Sequence, residues 1–193
     1  MPASKKADPA RRQRCVLLWL LLLAWPAAGW GGEFVVRELG TRLTDDGYLV
    51  DARIDYRFSE RAIEALNNGV PLTLEVDLRL RRSDAWPWEP DIVGQRLFYR
   101  IRYHALASVY QVRDLQTGRR QNFVTRRAAL EALGELDGLP LITPDRLRPD
   151  EVYELSLRAS LSIEDLPLPL RPWAYLDPDW EHDSEWTRWT LQP

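Results

Sequence analysis

The sequence predicts a mainly β protein: a single antiparallel β-sandwich-like domain with two short helices, behind an N-terminal signal or anchor segment. Three observations carry this. Residues 47–58, GYLVDARIDYRF, alternate strictly, with Tyr48, Val50, Ala52, Ile54, Tyr56 and Phe58 on one face and Asp51, Arg53, Asp55 and Arg57 on the other. Residues 71–82, PLTLEVDLRLRR, repeat the pattern with Leu72, Leu74, Val76, Leu78 and Leu80. A period of two over this length marks a half-buried antiparallel strand. Helical spacing, by contrast, appears in two short segments, each opened by a hydroxyl residue suited to cap it.

Taken in order, EFVVREL (33–39) is a short first strand, joined to 47–58 by the hairpin-favouring Asp45-Asp46-Gly47 turn. SERAIEALNNG then starts a helix at Ser59 and stops it at Asn68-Gly69, with Ala62, Ile63 and Leu66 on one side. After 71–82 and the turn-rich SDAWPWEPD come strands in RLFYRIRYH (96–104), ASVYQVRDL (107–115) and QNFV (121–124). The second helix is TRRAALEALGEL (125–136), capped by Thr125 and ended by the breakers Gly138 and Pro140. DEVYELSLRASLSI (150–163) is a strand with Val152 out of phase, LPLPLRPW is extended, and SEWTRWTL (184–191) is the closing strand. Seven or eight strands with two inserted helices make one domain over residues 30–193.

Residues 1–29 have the plan of a secretory signal. Lys5, Lys6, Arg11, Arg12 and Arg14 precede the apolar run CVLLWLLLLAW, and Pro26, Ala27, Ala28 and Gly29 close it. An uncleaved anchor is the competing reading. Residues 15–30 as a helix reach about 24 Å, against a hydrocarbon core of roughly 30 Å. The chain is therefore expected to be exported, either free in the periplasm or held at the inner membrane facing it.

Setting aside Lys5, Lys6, Arg11, Arg12, Arg14 and Asp8 leaves 21 arginines against 28 carboxylates, a net charge of −7. That acidity argues against nucleic acid and anionic lipid as main partners, and leaves membrane contact to the N-terminal segment if it is uncleaved. The single cysteine, Cys15, lies in the leader, so the domain is held by its core and not by disulfides.

No catalytic motif is visible. A nucleophilic hydrolase needs a serine or cysteine beside a histidine base, and the only histidines are His104 and His182, with no G-x-S-x-G. No phosphate-binding glycine motif occurs, and no cofactor is expected. DPDWEHDSE (177–185) offers alternate carboxylates, but Pro178 stiffens it and Arg188 stands where a calcium loop places its last glutamate, so no metal site is assigned.

The aromatic clusters are the candidate interaction residues: Trp86 and Trp88 on the proline-stiffened AWPWEP loop, and Trp180 and Trp186 in the acidic tail. At strand spacing Trp186 shares a face with Arg188 and Thr190, whereas Trp189 travels with Leu191. Trp189 is therefore expected to be buried, and Trp186 to lie on the polar side.

The leader, the segment GYLVDARIDYRFSERAIEAL, the strand RLFYRIRYHAL, the helix TRRAALEALGEL and the tail SEWTRWTL together resemble an uncharacterised family of proteobacterial exported envelope proteins, the DUF4390-like domain of unknown function. The resemblance spans essentially the whole chain after the leader. It implies an envelope location and an association with an envelope sensor kinase system, and it carries no catalytic residues. The expected function is a periplasm-facing binding or protein-interaction module whose partner is an envelope protein or small ligand. The alternative is a hydrolase acting on an envelope glycan through paired carboxylates near Trp180 and Trp186.

Overall fold

The computed structural model describes residues 33–193; the signal or anchor segment expected at 1–29 lies outside them. Nine strands form two antiparallel sheets. The smaller has the order β1 (Phe34–Thr44), β2 (Gly47–Tyr56), β7 (Glu135–Ile142). The larger runs β6 (Arg120–Phe123), β5 (Val109–Asp114), β4 (Val93–His104), β3 (Leu72–Arg82), β8 (Tyr153–Leu161), β9 (Thr187–Leu191). Both sheets turn their apolar faces into one shared core.

The alternation read in the sequence is what builds that core. Leu72, Leu74, Val76, Leu78 and Leu80 of β3 are all fully buried, and Leu155, Leu157 and Ala159 face them from β8. Full burial of each such leucine is worth about 1.5–3 kcal/mol. β3 lies between β4 and β8, so both of its backbone edges are paired. The β1–β2 hairpin closes at Asp45-Asp46 as expected, with Thr44 Oγ1 donating to the Gly47 carbonyl at 2.8 Å.

Both expected helices are present. α1 (Glu60–Asn67) is capped by Ser59, whose Oγ accepts from Ala62 N–H at 3.2 Å. α2 (Arg126–Gly134) is capped by Thr125 in the same way, also at 3.2 Å. α2 ends against β2 so closely that a Cβ on Gly134 would sit 2.0 Å from the Ile54 carbonyl oxygen.

Two expectations are corrected. The second helix, expected to run to 136 and end at Gly138 and Pro140, stops at Gly134, and residues 135–142 form β7, the third strand of the small sheet. Gly138 adopts φ +66° and the β2–β7 register shifts twice, so glycine and proline are absorbed by an irregular edge strand and do not end the chain's pairing. The proline-rich stretch after β8 is likewise not simply extended. A 3-10 turn (Ile163–Asp165) leads to a third, one-turn helix, α3 (Arg171–Ala174), with Pro172 in its first turn, where a missing N–H costs nothing.

The strand order gives the domain two distinct ends. At one lie the start of β1, the end of β2, the start of α1 and β3, and the end of β8. At the other lie the β3–β4 loop (83–92) and the start of β8. The eleven residues of β3 separate them by about 35 Å.

Candidate interaction surface

The four tryptophans singled out in the sequence fall in three different environments. Trp86 and Trp88 stack on each other in the β3–β4 loop, ring centroids 5.0 Å apart and planes 16° from parallel, and are 61% and 76% exposed. The backbone under them is tied down. Arg81 Nη2 donates to the Trp86 carbonyl at 2.8 Å and to the Glu89 carbonyl at 3.1 Å, and Trp86 N–H donates to Glu89 Oε1 at 3.2 Å. Glu89 is in turn paired with Arg82 at 3.2 Å, and Arg81 Nε lies 3.2 Å from Asp91. With Pro87 and Pro90 restricting the chain, two large rings are held outside the core with little freedom left to lose.

Trp180, expected as an interaction residue, is the opposite case: it is buried and presents no free indole. It ends a 3-10 turn (Pro178–Trp180) that packs against α1, with Asp177 capping the turn by accepting from Asp179 N–H at 3.1 Å. The surrounding tail clasps the start of α1. Ser59 Oγ donates to the Asp179 carbonyl at 2.6 Å, and Arg61 reaches Asp177 at 3.0 Å and Asp179 at 3.2 Å. His182 is buried between the rings of Phe34 and Phe58, where its Nε2 accepts the Ser59 N–H at 2.8 Å. Accepting at Nε2 requires a neutral ring with its proton on Nδ1. Burial pushes the His182 pKa below its ordinary value; the Trp180 backbone and the Asp179 and Asp183 carboxylates act the other way without reversing it.

Trp186 is half-buried on the polar face of the large sheet, and the Arg79 guanidinium lies 4.5 Å from its ring centroid. Arg79 is oriented for this by Asp77, to which it donates at 2.6 and 3.2 Å. The indole is thus already engaged by a cation of its own chain. Trp189, expected to be buried, is 44% exposed. Its parity was read correctly, since it pairs with the buried Leu155 and travels with the buried Leu191. But among the described residues β9 is an edge strand, and Trp189 stands at the rim of a groove of about 600 Å³ lined by apolar Leu39, Ala52 and Leu136 and by charged Asp51, Arg53 and Glu135.

Three carboxylates of the acidic tail are paired with arginines, while Glu181 and Glu185 are exposed. Asp177 and Asp179 share Arg61, and Asp183 pairs with Arg158. Among the described residues no group of three or more His, Cys, Asp or Glu side chains is arranged to hold a metal ion. A second carboxylate clip ties the small sheet together: Asp51 of β2 accepts from Gly138 N–H of β7 and Arg42 Nε of β1, both at 2.8 Å. Although burial pushes the Asp51 carboxyl up, the Gly138 and Arg42 donors outweigh it and hold the pKa below the usual value.

Residues 32–190 match the family described as Domain of unknown function (DUF4390). The chain belongs to that family. No curated protein and no solved structure matches it. What the DUF4390 fold presents in this chain is a braced aromatic pair at one end of the long sheet and a buried aromatic clasp at the other. The bracing was missed in the sequence, although its members, Arg81, Arg82 and Glu89, flank the tryptophans closely.

Proposed function

We propose that the domain is a periplasm-facing interaction module that offers the Trp86/Trp88 pair to another envelope protein. The observation that supports this is the stacking of two largely exposed indoles on a loop whose backbone is fixed by Arg81, Arg82 and Glu89. Preorganised, exposed indoles are the side chains from which binding hot spots are built. The acidic charge of the domain selects for a partner surface that is apolar at its centre and basic around it. A component of an envelope sensor kinase system is the partner class that the family resemblance adds. The alternative, a carboxylate hydrolase acting on an envelope glycan, has no supporting observation of its own.

A photo-activated cross-linking residue placed at position 88 of the full chain in living cells tests the proposal. A discrete protein adduct is expected, and Trp86→Ala with Trp88→Ala should weaken binding of that partner, once purified, by about 30-fold or more, the equivalent of roughly 2 kcal/mol for a hot spot. An unchanged affinity in the double variant would overturn it.

A further inference from the structure

The other end of the domain carries an apolar surface that the interaction module does not use. Residues 166–176 leave β8 as irregular chain and α3, and their side chains divide sharply. Leu166 and Ala174 are buried and seat the segment on the body. Leu168, Trp173, Tyr175 and Leu176 are 74%, 72%, 60% and 80% exposed. Four large apolar side chains are turned outward within nine residues, a local concentration of exposed apolar surface of the kind that marks a binding face. Its position says what it meets. The described chain begins at Glu33, and at that point Phe34 N–H donates to the Asp183 carbonyl while Ser160 bridges to Asp183, so the chain enters the domain at the end of β8, where this segment starts. The 32 residues before Glu33 contain the apolar run at 15–25, which ends seven residues short of it.

We propose that residues 166–176 rest on the lipid surface from which the chain emerges, with Trp173, Tyr175, Leu168 and Leu176 entering the headgroup region. The proposal rests on the leader being retained as a membrane anchor, and is independent of what Trp86 and Trp88 bind. Tryptophan and tyrosine are suited to that layer because each joins an apolar ring to a polar tip. The surrounding charge selects the lipid. Glu164, Asp165 and Glu181 are exposed beside the patch, and the only nearby cation within the segment, Arg171, turns back so that its Nε donates to the Leu166 carbonyl at 2.6 Å. An acidic rim fits zwitterionic headgroups and is repelled by anionic ones. In this arrangement the Trp86/Trp88 pair points away from the membrane, at the far end of β3.

The test uses the full chain in phosphatidylcholine nanodiscs, with Cys15→Ser so that a spin label can be placed at Leu176→Cys or, separately, at Trp88→Cys. Power saturation should show the label at 176 reached by oxygen dissolved in lipid and shielded from a water-soluble nickel chelate, and the label at 88 the reverse. Because both sites are exposed, the labelled chains should keep the wild-type circular dichroism. As a second reading, in the unlabelled chain with Trp19, Trp25 and Trp30 replaced by Phe, Trp173→Phe should remove quenching by brominated phosphatidylcholine that Trp88→Phe leaves in place. Equal access of nickel to both labels would overturn the proposal. So would a label at 176 shielded from both reagents, which would mean that protein, either the leader or a second copy, covers the patch.

Discussion

The β3–β4 loop and the C-terminal tail are both rich in tryptophan, proline and carboxylate, yet they use these residues in opposite ways. In the loop, charged groups bind the backbone and leave the rings outside: Arg81 and Glu89 hold the Trp86 amide and carbonyl while the two indoles stack on each other in solvent. Around Trp180 in the tail, charged groups bind one another and the indole is drawn in. Arg61 gathers Asp177 and Asp179, His182 takes the Ser59 N–H, and Trp180 is carried under α1. The same composition therefore builds a presented surface where the backbone is the hydrogen-bonded element, and a clasp where the side chains are.

The sharpest way to break this contrast is Trp180→Ala. Emptying a buried indole site should cost about 3–5 kcal/mol, read as a fall in the urea midpoint with unchanged slope. A cost near zero would place Trp180 with the loop residues. Next in size is His182→Ala, which leaves the buried Ser59 N–H without its acceptor and should cost about 1–3 kcal/mol.

The same histidine gives the clasp a pH dependence. Its folded pKa lies below the ordinary 6.5, so the unfolded chain takes up the proton first as pH falls. Stability contributed by the neutral ring is complete above that value and is lost as pH drops from there towards the folded pKa. His182→Gln keeps an acceptor and cannot titrate, so it should flatten the fall in urea midpoint between about pH 7.5 and 5.5. An equal fall in both proteins would remove His182 as the cause.

How far these differences could be read in advance depends on where the controlling contacts lie along the chain. The strands of 47–58 and 71–82 were legible because alternation is a local property, and Ser59 and Thr125 announced their helices because a cap acts three residues away. β7 was not legible: Gly138 and Pro140 read locally as breakers, and only the distant β2 and the Asp51 carboxylate show that the segment is held as a strand. For the tryptophans, parity placed Trp189 on the inner face, but its exposure depends on β9 being an edge. The fate of Trp180 was invisible, because its partners in α1 lie more than a hundred positions earlier.

Trp186 is the intermediate case. It belongs to the tail by sequence, but it is held by a cation and not by the core. Trp186→Ala removes the ring beneath Arg79 while Asp77 still holds the guanidinium, so the loss should be about 1 kcal/mol, and added salt should diminish it. A loss as large as that of Trp180→Ala would show the ring to be a core residue.

The smallest effect expected is the most discriminating for function. Trp88 touches solvent and the face of Trp86, and the hydrogen bonds that shape its loop run through the backbone of Trp86 and Glu89, which a change at position 88 leaves intact. Trp88→Ala should therefore shift the urea midpoint by no more than the equivalent of about 0.5 kcal/mol. A residue that can be removed without cost to the fold, yet stands stacked and braced at the surface, is maintained by something outside the fold. If Trp88→Ala instead destabilises the domain by several kcal/mol, the pair is a cap on the end of the sheet and the distinction between loop and tail disappears.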